Sequence, residues 1–201
     1  MWQFEHEAKT KGYNSIAGVD EAGRGPLAGP VVSAAVILPD DFSSTGINDS
    51  KKLSEKKRAE FFSVIKKNAI AVSIGISSHE QIDAINILQA SLLSMKRAVE
   101  SLSTMPDYLL IDGKFTIDTD IDQTALIKGD SRSISIAAAS IIAKVTRDKI
   151  MKDLHEIYPQ YNFIQHKGYP TKAHKEAILK HGPCPVHRTT FKGVKEVIHA
   201  G

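Results

Sequence analysis

Three short apolar runs in this chain stop at or beside an aspartate. Residues 15–19 run into Asp20-Glu21, residues 108–111 into Asp112-Gly113, and residues 124–127 into Gly129-Asp130. Apolar runs of this length, bounded by Gly and Asp, read as strands that end in a carboxylate. Two more runs, 31–38 (stopped by Pro39) and 69–76, complete a set of five. Helical stretches separate them: a basic segment at 54–67, and 79–102, where Ile82, Ile85, Leu88, Leu92, Met95 and Val99 recur every three or four positions. This order predicts an α/β fold, a five-stranded mixed sheet flanked by helices, whose first three strands form a meander.

A further helix starts at Ser131 or Ser133, either of which can cap it, and runs to about residue 157 before Pro159. Its Ala137, Ala138 and Ala139 allow close approach to the sheet. Beyond it the texture changes to a loop at 166–170, a short helix at 171–180, a Pro-rich turn and a last short helix. The expected division is a sheet-containing domain over 1–158 and a helical appendage over 159–201. A chain of 201 residues suffices for one domain with such an appendage.

Hydrophobic residues at 42% and charged residues at 24% exclude a disordered chain. No apolar run approaches the roughly 18 residues of a membrane helix, and residues 1–12 lack the apolar core of a signal peptide. A cytoplasmic location is expected, and the single Cys184 excludes an internal disulfide or a cysteine-rich zinc cluster. His166, His174, His181 and His187 match no compact zinc finger in their spacing. The net charge of +3 and pI of 8.8 permit a nucleic-acid partner without demanding one.

In open α/β sheets ligands gather at the carboxyl ends of strands, so Asp20, Glu21, Asp112 and Asp130 can meet at one edge although far apart in sequence. Such a cluster repels itself unless a cation sits within it, and hard oxygen ligands suit Mg²⁺ or Mn²⁺. Two such ions about 4 Å apart activate water and stabilise the departing oxygen in phosphodiester hydrolysis. Adjacent strand residues point to opposite faces, so Asp20 and Glu21 share a site only if the strand ends or bulges there. Gly23 and Gly25 supply the means. The same glycines do not make a dinucleotide turn, because Gly29 comes four residues after Gly25 and Pro26 and Pro30 obstruct the helix such a turn needs. Ser140, Lys144 and Arg147 lie at i, i+4 and i+7, one helical face that can line a phosphate backbone, with Lys51 and Arg188 as further phosphate contacts. Taken singly, each base also reads as a solvated surface charge, and each strand-end Asp as a turn former.

The segment Gly18-Val19-Asp20-Glu21-Ala22-Gly23-Arg24-Gly25-Pro26-Leu27-Ala28-Gly29-Pro30 resembles the opening motif of ribonuclease HII. Further matches follow in order: Asn48-Asp49-Ser50-Lys51, Ile111-Asp112-Gly113, Lys128-Gly129-Asp130, AAASIIAKVTRD from Ala137 to Asp148, His166-Lys167-Gly168-Tyr169 and His187-Arg188. The resemblance implies a ribonuclease H-like fold with a small C-terminal helical region. It also implies an endonuclease that hydrolyses the RNA strand of RNA–DNA hybrids and cuts 5′ of ribonucleotides embedded in duplex DNA, leaving 3′-hydroxyl and 5′-phosphate ends. By motif position Asp20, Glu21, Asp112 and Asp130 hold Mg²⁺ or Mn²⁺, with Asp20 and Asp112 as the direct ligands in both steps. Gly23-Arg24-Gly25 reads the 2′-hydroxyl that separates RNA from DNA, and Tyr169 stacks on the sugar that follows the ribonucleotide. A monomer is expected. The competing readings are a junction resolvase or type HI ribonuclease, a type HIII enzyme, which carries an extra N-terminal domain, and a hybrid-binding module without turnover.

Overall fold

The computed structural model describes residues 1–43, 46–47 and 53–199. After helix α1 (Gln3–Thr10) come strands β1 (Ile16–Ala22) and β2 (Val31–Ile37), helix α2 (Glu55–Asn68), strand β3 (Ala71–Ser77), helix α3 (His79–Glu100) and strands β4 (Tyr108–Asp112) and β5 (Asp122–Leu126). Helices α4 (Ile134–Ile157), α5 (Phe163–His166), α6 (Lys172–His181) and α7 (Lys195–His199) complete the chain. The strands form one sheet in the order β3-β2-β1-β4-β5. β1, β2 and β3 pair antiparallel as the expected meander, and β4 and β5 join β1 in parallel, which makes the sheet mixed. No helix among the described residues is long and apolar enough to cross a membrane.

Every residue of β2 is buried, because α4 covers one face of the sheet and α3 the other. On the α4 side Ala137, Ala138 and Ala139 are fully buried against Ala34, Val36 and Ile65. The approach is closest at Gly18, where an added Cβ would lie 2.1 Å from the backbone carbon of Ser135. Only a residue without a side chain lets the α4 backbone rest directly on β1. On the α3 side Val19, Leu109 and Ile111 pack with Met95, Ala98 and Val99.

Ser133 caps α4, its hydroxyl accepting from the Ile136 amide, which is worth about 1 kcal/mol. The same hydroxyl lies 2.6 Å from Oε1 of Glu5, which also accepts from the Ser135 amide. A buried carboxylate at a helix N-terminus satisfies otherwise orphaned donors and opposes the positive end of the helix dipole. Sequence reading gave no helix at the N-terminus; α1 carries this acid and packs Ala8 and Phe4 against Ile16, Tyr108 and Ile136.

Three other boundaries differ from expectation. β1 runs three residues beyond 19, through Ala22, because β2 continues to pair with it. β5 stops at Leu126, and Lys128 then takes the left-handed conformation (φ 56°), which places Asp130 in a 3₁₀ turn, Gly129–Ser131, instead of at a strand end. The long helix α3 is broken at Asn86 (φ 66°, ψ 165°), whose Oδ1 accepts from the Leu88 and Gln89 amides and restarts the helix. Beyond α4, a separate apolar cluster joins Tyr161, Phe163 and Ile178 to Met151 of α4 and to Leu27 and Ala28 of the glycine-rich segment.

Candidate active site

The parallel pairing of β1 with β4 ends at Val19 opposite Ile111. The next residue on each strand is an aspartate, so Asp20 and Asp112 stand side by side at the carboxyl end of the sheet. Gly18 faces α4 and Val19 faces α3, so strand alternation turns Asp20 toward α4, where the Ser140 hydroxyl bonds to it. Asp112 Oδ1 accepts from the Gly129 amide at 2.6 Å, which fixes the 3₁₀ turn and brings its next residue, the buried Asp130, to the same edge.

Glu21 was expected to join this site only through a strand end or bulge, yet β1 stays in unbroken register with β2 through Ala22. Its side chain nevertheless lies near enough to act on Asp20, and it lines the same cleft as Ser140. Its Oε1 sits 3.3 Å from Nη1 of Arg24.

The electrostatics are unbalanced. Burial, followed by the neighbouring charges of Glu21 and Asp112, holds the Asp20 carboxyl well above the ordinary carboxylate range, against the lowering effect of the Glu21 amide and Ser140. A divalent cation would offset the repulsion from Glu21 and Asp112 and favour the ionised form against the cost of burial, so this donor set fits a hard ion. Among the described residues no three His, Cys, Asp or Glu groups converge closely enough to hold an ion by themselves. The four carboxylates expected to meet therefore form no ready cage: Glu21 and Asp112 act on Asp20, and a hard ion here would take the rest of its shell from water or phosphate.

Next to the carboxylates lies a cleft of about 220 Å³ lined by Glu21, Arg24, Gly25, Ser140, Lys144 and Tyr169. The Tyr169 ring flanks the Gly25 backbone, 3.5 Å from where a Cβ would stand. Lys144 bonds to Asp148 at 2.6 Å, one helical turn on; burial pushes its ammonium pKa down and Asp148 opposes the shift. Arg24 is about half exposed.

Two expected phosphate contacts must be withdrawn. Arg147 is 1% exposed and donates to the carbonyls of Pro30, Lys167 and Ala28. Arg188 is fully buried and donates to those of Gly29, Arg24 and Gly23. Burial lowers their pKa values to about 10 and about 9, so both stay charged at neutral pH, but neither guanidinium is open to a phosphate. They are the frame of the glycine-rich turn. Gly23 takes φ 104°, and a Cβ there would meet Nε of Arg147 at 2.1 Å, so the turn and its frame require glycine. Of the Ser140, Lys144 and Arg147 face, only the first two reach the cleft. Lys51, with the whole Asn48-Asp49-Ser50-Lys51 segment, falls outside the described residues.

Sequence reasoning missed Asp83, which accepts four hydrogen bonds, from the amide and the hydroxyl of both Thr189 and Thr190, and so anchors the strap that carries Arg188. No spacing in the chain signals a pairing between residues over a hundred positions apart. The i, i+4 spacing of Lys144 and Asp148 was a usable signal.

Comparison with known proteins gives the family and the fold. The profile of the family Ribonuclease HII matches residues 17–194. Ribonuclease HII of Geobacter sulfurreducens is 54% identical over 196 residues, which cover 98% of this chain and 90% of that protein. Ribonuclease HII of Bacillus pumilus is 57% identical over 198 residues, covering 98% and 78%. Among solved structures, the ribonuclease H2 from Pyrococcus horikoshii superposes with a TM-score of 0.77 at 25% identity, covering 93% of this chain and 98% of that one.

Proposed function

The chain belongs to the ribonuclease HII family and is a ribonuclease H-type hydrolase, and from that premise we propose that it hydrolyses the RNA strand of RNA–DNA hybrids and cuts 5′ of ribonucleotides embedded in duplex DNA. The observation that carries the reading is the juxtaposition of the Asp20–Asp112 edge with a cleft that also holds Gly25 and Tyr169. Acids that take a cation thus adjoin a backbone surface that can approach a ribose, and Glu21 of the acid group lines the cleft itself.

Asp20 and Asp112, with Glu21 and Asp130 beside them, would hold the divalent ions, Mg²⁺ or Mn²⁺. Those ions, when bound, lower the pKa of the attacking water and neutralise charge on the phosphoryl group. Ser140 orients the Asp20 carboxylate, and the Gly129 amide fixes that of Asp112. Lys144 offers a positive charge to the substrate backbone. The Gly23-Arg24-Gly25 turn, its carbonyls held from behind by Arg188, keeps its outer face for the 2′-hydroxyl, whose donor and acceptor capacity marks RNA. Tyr169 stacks on the adjoining sugar. Water attacks phosphorus and the bond to the 3′ oxygen breaks, which leaves 3′-hydroxyl and 5′-phosphate ends. The helical region 159–201 contributes to substrate binding through Tyr169, and the enzyme acts as a monomer in the cytoplasm.

The test is cleavage of a labelled DNA duplex carrying one ribonucleotide, with Mg²⁺, with Mn²⁺ and with EDTA, beside an all-DNA control. A metal-dependent cut 5′ of the ribonucleotide is expected. Cleavage of a long hybrid without the junction cut would remove the 2′-hydroxyl role, and retained binding without any cleavage would replace the enzyme by a binding module.

A further inference from the structure

Three histidines lie buried behind the cleft, on the appendage side: His166, His174 and His187 are 8%, 0% and 1% exposed. The rings of His166 and His174 stack at 4.4 Å, and Nε2 of His174 lies 3.0 Å from Nε2 of His187. Two ring nitrogens face to face must be one donor and one acceptor, and the surrounding backbone decides which.

The Cys184 amide, which can only donate, points at Nδ1 of His187 at 2.9 Å. That nitrogen carries no proton, although the Cys184 carbonyl is also 3.2 Å away. The proton of a neutral His187 is therefore on Nε2, and it is donated to Nε2 of His174. His174 in turn carries its proton on Nδ1, 2.9 Å from the Tyr169 carbonyl, to which it donates. His166 follows the same logic: its Nδ1 accepts from the Gly168 amide, so its Nε2 donates to the Tyr161 carbonyl. The chain of donors runs one way, from the Cys184 amide to the Tyr169 carbonyl.

This matters because no hydrogen bond described holds the exposed Tyr169 ring by its hydroxyl; its place beside Gly25 follows its backbone, whose amide donates to the His166 carbonyl and whose carbonyl accepts from the Thr171 amide as well as from His174. We infer that His174, oriented by His187, is a positioning residue that sets the Tyr169 ring against the glycine-rich turn and so tunes the preference for a ribonucleotide junction over a long hybrid. The inference rests on the stacking role proposed for Tyr169 and names what maintains it.

The two amide side chains separate the two nitrogens of His174. In His174→Asn the amide NH₂ replaces Nδ1–H and can still donate to the Tyr169 carbonyl; in His174→Gln the side-chain end replaces Nε2 and keeps only the contact with His187. Kinetics on a single-ribonucleotide duplex and on a long hybrid would be compared for both, beside Tyr169→Ala. The expected result is a fall of about fivefold in the junction-to-hybrid ratio of kcat/KM for the Gln variant, the worth of one lost hydrogen bond, with the Asn variant close to the parent. Equal ratios in the Asn and Gln variants, with Tyr169→Ala impaired at junctions, would overturn the role of His174 alone. An unimpaired Tyr169→Ala would overturn the stacking role itself. Nitrogen NMR of the imidazoles in the unmutated protein serves if a variant does not fold: neutral His174 protonated on Nδ1 and His187 on Nε2 are expected, and a His174 proton on Nε2 would overturn the proposal.

Discussion

The two sides of the cleft handle charge in opposite ways. On the sheet side, Asp20 is buried among like charges and its carboxyl pKa is pushed up. On the appendage side, Arg147 and Arg188 are buried too, and the charge of Arg147 acts on Arg188, yet each guanidinium donates to three carbonyls, and burial favours the neutral form of His174 and His187. The first arrangement leaves the repulsion on Asp20 unbalanced by any protein cation; the second meets each guanidinium with carbonyl acceptors of the protein itself. One side is therefore built to react and the other to hold its shape, and variants should separate catalysis from stability along that line.

The largest effect is expected from Asp20→Asn, which should lower metal-dependent cleavage by about 100- to 1,000-fold while leaving the thermal midpoint unchanged or higher, since it removes a buried charge beside two others. Calorimetry with a cleavage assay checks both, and a lowered midpoint would erase the contrast. Arg188→Ala should do the reverse in kind, costing about 3 kcal/mol of stability in a urea titration because the buried bonds to the Gly23 and Gly29 carbonyls and the partly buried one to Arg24 lose their donor. Lys in its place should not restore it, as an ammonium cannot span three acceptors in a plane.

Asp83→Ala should cost less, about 1–2 kcal/mol, by freeing the Thr189–Thr190 strap. Burial works against the charged form of Asp83, but the four donors prevail and hold its pKa below the ordinary value. Its contribution is thus present above the unfolded carboxylate pKa and lost as pH falls through the folded one. The last prediction is a pH trend that both buried histidines share. Burial lowers His174 and His187 to about 4, so both are neutral in the fold while the unfolded chain takes up protons below about 6.5. Stability should fall as pH drops from about 6.5 toward 4. Asp20, with its raised pKa, acts in the other direction, so the urea midpoint is best followed in the Asp20→Asn background. A midpoint flat across that window would mean that the rings are charged in the fold.

The sheet was legible because its strands are short, apolar and punctuated by Asp and Gly, and Asp20 and Asp112 were legible because a parallel pairing puts equivalent strand ends together. The turn around Asp130 was not, since it depends on one left-handed residue, Lys128, whose identity does not announce it. α1 escaped because its only buried charge, Glu5, meets its partners at Ser133 and Ser135, more than a hundred residues away. Arg147 and Arg188 were misread for a related reason: their acceptors are backbone carbonyls, which every residue type carries, so no sequence pattern distinguishes a buried arginine frame from a basic surface. The kink at Asn86 was hidden by apolar periodicity that holds on both of its sides.

The contact at Gly18 has a consequence for how this enzyme can change. Because the α4 backbone touches β1 with no side chain between them, the separation between Asp20 on the strand and Ser140 and Lys144 on the helix is a mechanical dimension fixed by main-chain atoms. Core substitutions elsewhere can soften or stiffen the protein, but they have no spacer here to lengthen or shorten. Any engineering that seeks a wider or narrower cleft must therefore work from its other side, the glycine-rich turn and the strap behind it, where the side chains of Arg147 and Arg188 set the gap.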